Sequence, residues 1–297
     1  MQTGAEIHFL VKPAFAGILQ HNPYIRKIHH FKDISTARKL IREEKFDLII
    51  DLQKNFKSRL TTIFQHCNTV TFNKLNVEKW IYVQFKLNLL PSVHLVDRYF
   101  EALKPYGIYN DGKGLDFFTN PQIPAPAIPL NASDDYNVLV LGANYFTKRI
   151  PLSKCNEIIQ SSPHPVVLLG GSDVVRESRQ LWQANSAKTI DMSGKISLDE
   201  SALLLKGAIR VFTGDTGLMH IAAALQKNIV VLWGNTTPAL GMFPYFGQYG
   251  TGTYLSIENI GLSCRPCSKL GHASCPKSHF KCMNDLDLNF LKNQDEQ

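Results

Sequence analysis

The stretch Thr213-Gly214-Asp215-Thr216-Gly217-Leu218-Met219-His220-Ile221-Ala222-Ala223-Ala224-Leu225 decides how the rest of this 297-residue chain is read. Its opening, with the preceding Arg210-Val211-Phe212, predicts a short buried strand running into glycine. A carboxylate, a hydroxyl and a second glycine follow, and then small and apolar residues that predict a helix over 218–225. Strand, glycine turn and helix make half of a βαβ unit. In open α/β sheets, ligands bind beyond the carboxyl ends of strands, where this turn lies. A helix start offers unbonded amides and partial positive charge to a phosphate or sugar oxygen. Asp215 can accept hydrogen bonds from hydroxyls, the glycines admit a ligand close to the backbone, and His220 lies one turn further on. Spacing alone leaves a second reading equally open, in which Asp215 only caps the helix and His220 is a satisfied core or surface residue.

The same alternation extends outward from this turn. In the second half, 137–141, 166–169 and 229–233 are apolar, β-rich runs, and the first two lead straight into glycine. Ser197 and Glu200 form a capping-box pattern for a helix that ends near Gly207. In the first half, Ile7–Val11, 27–31 and 47–50 read as strands. Residues 15–20, the stretch after Ser35, and 57–64, 78–88 and 96–103 read as helical. Ser35 is the expected cap of its helix. Between the halves, 120–131 (NPQIPAPAIPLN) carries four prolines and no periodicity, as an interdomain linker would. The expected organisation is one domain over 1–125 and a second over 132–297.

Composition fits this reading. Apolar residues make up 44% of the chain, and no apolar run is long enough to cross a bilayer. The first residues, MQTGAEIHFLVKP, lack the regions of a secretion signal, so a cytoplasmic location with reduced cysteines is expected. Lys and Arg number 32 against 25 Asp and Glu, which favours an anionic partner. Much of the excess precedes position 110, around Arg38–Arg42, Lys54–Arg59 and Lys79–Lys86, where solvated helix faces explain it equally well. A nucleic-acid binder would show a known module or a basic stripe interleaved with aromatics, and neither is present.

On these residues the chain resembles glycosyltransferase family 9, the heptosyltransferases. The segment GDTGLMHIAAAL is similar to the family's D-T/S-G-x-x-H-x-A-A-A-L signature. Gly142-Ala143-Asn144 through Lys148-Arg149-Ile150-Pro151 resembles its first nucleotide-domain loop, and Leu168-Leu169-Gly170-Gly171-Ser172-Asp173 its second glycine turn. Asp51-Leu52-Gln53-Lys54-Asn55-Phe56-Lys57-Ser58 and Asn22-Pro23-Tyr24-Ile25 match two first-domain elements. The resemblance implies an α/β GT-B fold, in which two Rossmann-like domains with parallel sheets face a cleft. It also implies an inverting transfer of heptose from ADP-heptose to a lipid-A-linked sugar of the lipopolysaccharide inner core, with no metal or other cofactor. A transferase using another nucleotide sugar, or a catalytically impaired donor-binding relative, would carry much the same motifs.

Carried across residue by residue, the resemblance gives Lys148 the donor pyrophosphate and Asp173 the adenosine ribose. Asp215, Thr216, Gly217 and His220 would line the donor sugar and phosphate site, and Asn144 and Ile196 would complete the nucleotide pocket. The implied acceptor would place the protein at the inner face of the inner membrane. Gly4–Val11 already looks like the family's second strand. The first strand, with the loop aspartate thought to act as base, has no counterpart, and Asp51 is the nearest substitute. From this departure, poor turnover with surviving donor affinity is expected. Finally, Cys264, Cys267, Cys275 and Cys282 fall within nineteen residues. Four thiolates can hold zinc, but the second pair lacks CxxC spacing, and reduced thiols packing an irregular tail is the favoured reading.

Overall fold

The protein is described by a computed structural model that covers residues 4–130 and 135–291. Met1, and Asn131 at the end of the proline-rich stretch, lie outside the described residues. The chain divides into two compact units: residues up to 76 with 92–111, and 77–91 with the residues from 112 onward. The second unit therefore begins ahead of the proline-rich stretch and takes in a helix from the first half.

The first unit runs β1 (Ile7–Val11), β2 (Ile25–His30), α1 (Ile34–Glu44), β3 (Leu48–Asp51), α2 (Phe56–Thr62) and β4 (Asn68–Thr71). Its strands fall into two separate parallel pairs, β1 with β2 and β3 with β4. No residue of β1 is buried, and Ile7, Phe9, Leu10 and Ile50 are exposed although they lie in strands. Two local expectations change. Pro13–Ile18 is a 3-10 turn rather than part of an α-helix over 15–20, because proline at its start and Gly17 within it favour a short, tight element. The cap of α1 is Asp33, whose carboxylate accepts from the Thr36 amide at 2.8 Å, and Ser35 lies inside the first turn.

Next come α3 (Asn76–Phe85), in the segment that joins the second unit, and α4 (Leu95–Glu101). The second unit continues through β5 (Asn137–Val140), α5 (Leu152–Ser161), β6 (Val166–Leu169), α6 (Val175–Ala184) and β7 (Thr189–Asp191). It then runs through α7 (Leu198–Gly207), β8 (Arg210–Thr213), α8 (Gly217–Ala224), β9 (Asn228–Trp233), β10 (Thr253–Glu258) and α9 (Lys281–Asn284). All six strands are parallel, in the order β10-β9-β8-β5-β6-β7. Counted within the unit this is 6-5-4-1-2-3, the dinucleotide-fold order, and its switch point falls between β5 and β8.

The sequence forms this sheet because its strands are apolar on both faces, as helix-covered parallel strands must be. Leu139, Leu168, Phe212, Val230 and Leu232 pack with Ile158, Ile159, Leu181 and Met283 on one side. Val138, Val140, Val167, Val211, Ile229 and Val231 pack with Ala202, Leu205, Met219, Ala222 and Ala223 on the other. The alternation of period two sends neighbouring residues to opposite cores.

Candidate functional site

Every residue assigned to donor binding lies at the carboxyl end of this six-stranded sheet, on loops or a helix that follow different strands. Asn144 and Lys148 follow β5, Asp173 follows β6, Ile196 follows β7, and Asp215, Thr216, Gly217 and His220 follow β8. The loops after β5 and β8 flank the switch point.

These two loops are bound together. The Lys148 ammonium lies 2.7 Å from Asp215 Oδ2, with both side chains largely buried. The same oxygen accepts a hydrogen bond from the Thr236 hydroxyl at 2.9 Å, from the turn after β9. Backbone contacts set this approach. A Cβ on Gly214 would stand 2.3 Å from the Lys148 carbonyl oxygen, and one on Gly234 would stand 2.3 Å from that of Thr147. Only glycine lets the Phe146–Lys148 turn lie across the ends of β8 and β9. The Asn235 amide then donates to the Thr147 carbonyl at 3.4 Å.

Asp215 does not cap α8. The cap is Thr216, in extended backbone, with its hydroxyl accepting from the Met219 amide at 3.3 Å. Asp215 is thus left to pair with Lys148. A Cβ on Gly217 would meet nothing within 4 Å, so the space beside the first helical residue is open. His220, one turn along, has its imidazole pushed below the ordinary 6.5 by burial; nearby Lys148 adds to this and Asp215 opposes it. Burial thus favours its uncharged form.

The remaining assigned residues are spread along the same rim. Arg149 donates to the Ala143 carbonyl at 3.2 Å and to Asp173 at 2.5 Å, so the β5 and β6 loops are also bridged. Asp173 and Asn144 are exposed, while Ile196 is half-buried against the core. In the first unit, Asp51 ends β3 and is buried. Its carboxylate accepts from the amides of Gln53 and Lys54 and from the Ser58 hydroxyl, bracing the turn into α2.

Sequence reasoning passed over the turn Gly234-Asn235-Thr236-Thr237. Asn235 is fully buried, and neither end of its carboxamide is bonded among the described residues. Arg265, between two of the clustered cysteines, is buried and donates to the carbonyls of Gly234, Thr236 and Asn259 and to the Glu258 carboxylate. It ties the ends of β9 and β10 together. A strand ending in glycine and followed by hydroxyls was the available signal, the same one that marked Gly214. The six cysteines are free thiols. Cys264 Sγ lies 3.9 Å from His279 Nε2, and burial raises the Cys282 thiol to about 12.

A sequence profile of glycosyltransferase family 9 (heptosyltransferase) matches residues 34–251. Lipopolysaccharide heptosyltransferase 1 of Campylobacter coli is 25% identical over 260 residues, 78% of this chain and 75% of that protein. The family 9 glycosyl transferase of Veillonella parvula DSM 2008 superimposes with a TM-score of 0.69 at 16% identity, covering 98% of this chain and 87% of that one. ADP-heptose lps heptosyltransferase II of E. coli gives 0.62 at 20% identity, covering 99% and 92%. At these identities the likeness is one of fold, and it is the GT-B class that the motifs imply. With its switch-point motifs in register and the profile matched over most of its length, the chain belongs to glycosyltransferase family 9, the heptosyltransferase family.

Proposed function

We propose that this chain transfers heptose from ADP-heptose to a lipid-A-linked sugar of the lipopolysaccharide inner core, with inversion at the anomeric carbon. The observation that carries this reading is the Lys148–Asp215 pair, set across the switch point beside the open N-terminus of α8. In the reaction, the acceptor hydroxyl oxygen forms a bond to the anomeric carbon as the bond from that carbon to the diphosphate breaks. The electron pair leaves with ADP. Negative charge grows on the diphosphate, and the Lys148 ammonium and the first amides of α8 stabilise it without a metal ion. Asp215, already accepting from Thr236, offers its other oxygen to a sugar hydroxyl. Asp173 and Arg149 frame the ribose side. The acceptor proton passes to a base. Asp51 is the carboxylate singled out for that task, and its bonds to Gln53, Lys54 and Ser58 must loosen for it to take part.

Among the described residues, no helix is long and apolar enough to cross a membrane. Lys39, Arg42, Lys57 and Arg59 are exposed on the first unit and suit an anionic lipid surface. The proposed location is cytoplasmic, peripheral to the inner face of the inner membrane. Incubation with ADP-heptose and a lipid-A-linked acceptor, without divalent metal, should add one heptosyl mass to the acceptor and release an equal amount of ADP. Transfer from a UDP- or GDP-sugar in place of ADP-heptose would overturn the donor assignment.

A further inference from the structure

Away from the donor site, the first unit brings together His8 on β1, His29 on β2 and Glu44 at the end of α1. They form the one group of at least three His, Cys, Asp or Glu side chains, among the described residues, whose donor atoms all lie within 4.8 Å of one another. The register explains the meeting. His8 stands opposite Lys27 in the parallel pair, so Lys27 and His29, two residues apart, share its face. The last turn of α1 brings Glu44 to that face. His29 Nε2 is 3.1 Å from His8 Nδ1, and the Glu44 oxygens lie 3.8 Å from His8 Nδ1 and 4.0 Å from His29 Nε2.

We propose that His8, His29 and Glu44 bind one divalent transition-metal ion of the zinc, cobalt and nickel class, leaving a fourth position to water. Two imidazoles and a carboxylate are the donor set of such ions, and tetrahedral bonds of about 2.0–2.1 Å separate ligand atoms by roughly 3.3 Å. The observed separations straddle that figure. A second feature separates the cluster from a chance contact. The other ring nitrogen of His8, Nε2, lies 3.2 Å from the Glu6 carboxylate. A carboxylate on the far nitrogen fixes the tautomer that directs the Nδ1 lone pair inward, as outer partners of metal-bound histidines do. The two imidazoles are largely buried, at 12% and 10% side-chain exposure, while Glu44 at 25% leaves a way in. Lys27 is the internal competitor, its ammonium 2.5 Å from Glu44 Oε1. A bound ion would join two strands and a helix in a unit whose strands otherwise pair only two by two.

The test is cobalt titration of the full chain, followed by absorption. The six cysteines also attract metal, but thiolate ligation gives an intense near-ultraviolet charge-transfer band that a nitrogen and oxygen set lacks. One equivalent of Co2+ should show the weak visible bands alone. Glu6→Gln should weaken that equivalent about tenfold, the scale of an outer-partner loss. His29→Ala and Glu44→Gln should weaken it further, and Lys27→Gln should strengthen it. If only thiolate-ligated cobalt appears, or His29→Ala leaves this equivalent unchanged, the site does not exist. Lys27 is exposed and its variant should fold whatever His29→Ala does, so an unchanged or weaker affinity in Lys27→Gln would also overturn the proposal.

Discussion

Lys148 Nζ lies 2.7 Å from Asp215 Oδ2, joining the loop after β5 to the loop after β8 across the switch point of the sheet. The two residues are 67 positions apart and meet because strand order places β5 beside β8, and because Gly214 lets the Lys148 backbone pass. Thr236 holds the same carboxylate oxygen from a third loop. The ammonium is thus held in place before any ligand arrives, and little ordering cost remains for a diphosphate that binds it.

Lys148→Ala should weaken ADP binding by roughly 1.5–3 kcal/mol, the scale of a charge-assisted hydrogen bond. It also leaves Asp215 buried with only Thr236 as partner, costing stability by about 3–5 kcal/mol. Calorimetric titration and thermal unfolding separate the two effects. Unchanged ADP affinity would remove Lys148 from the site, and the double variant with Asp215→Ala should recover part of the stability.

Because Thr216 caps α8, Asp215 and Thr216 should fail differently. Thr216→Ala should cost about 1 kcal/mol of stability, as lost caps do. Asp215→Asn keeps the cap and should weaken ADP-heptose binding more than ADP binding, since only the former carries the sugar. Equal losses for both ligands would place Asp215 at the phosphates instead.

Two glycines three residues apart should behave in opposite ways. Gly214→Ala puts a Cβ 2.3 Å from the Lys148 carbonyl oxygen, a backbone atom that cannot give way cheaply. It should destabilise by about 1–3 kcal/mol and loosen the ion pair. Gly217→Ala meets nothing within 4 Å and should unfold at the parent's temperature, with any loss confined to donor affinity.

His220 predicts a pH dependence. Its folded value lies below 6.5, so as pH falls through that value the unfolded chain takes up the proton first and stability is lost. Stability is full above about 6.5 and declines below it, by at most about 1.4 kcal/mol per pH unit for one group, until the folded imidazole also protonates. Denaturant midpoints across this window should slope for the parent and flatten in His220→Gln. His29, displaced the same way, contributes to the slope that remains.

The second unit was legible because its strands are short apolar runs ending in glycine and its helices carry local signals. The Ser197–Glu200 box forms as read, with reciprocal bonds, and β8 spans Arg210–Thr213 as expected. Three strands went unread. Asn68–Thr71 and Thr189–Asp191 are short and polar, and Thr253–Glu258 lacks the continuous apolar run of its neighbours. Motif register picked out the residues assigned to donor binding, but not how they pair. That Lys148 meets Asp215, that Arg149 meets Asp173, and that Asn235 and Arg265 are buried beside them follows from tertiary crossing. No local spacing encodes it.

The division of the chain also bears on how it can be cut. Residues 77–91 belong to the second unit, where Tyr82 reaches Thr237 at 3.4 Å and the Lys86 ammonium donates to the Pro266 carbonyl at 2.8 Å. The polypeptide therefore passes between units three times, after 76, after 91 and after 111. A nick in the proline-rich stretch does not separate two autonomous modules. It yields one fragment carrying a helix that belongs to the other, and a second-unit remnant stripped of it. Limited proteolysis there should leave the pieces associated through that exchanged helix, and a gene fragment starting at 132 should give a weaker folder than the intact chain.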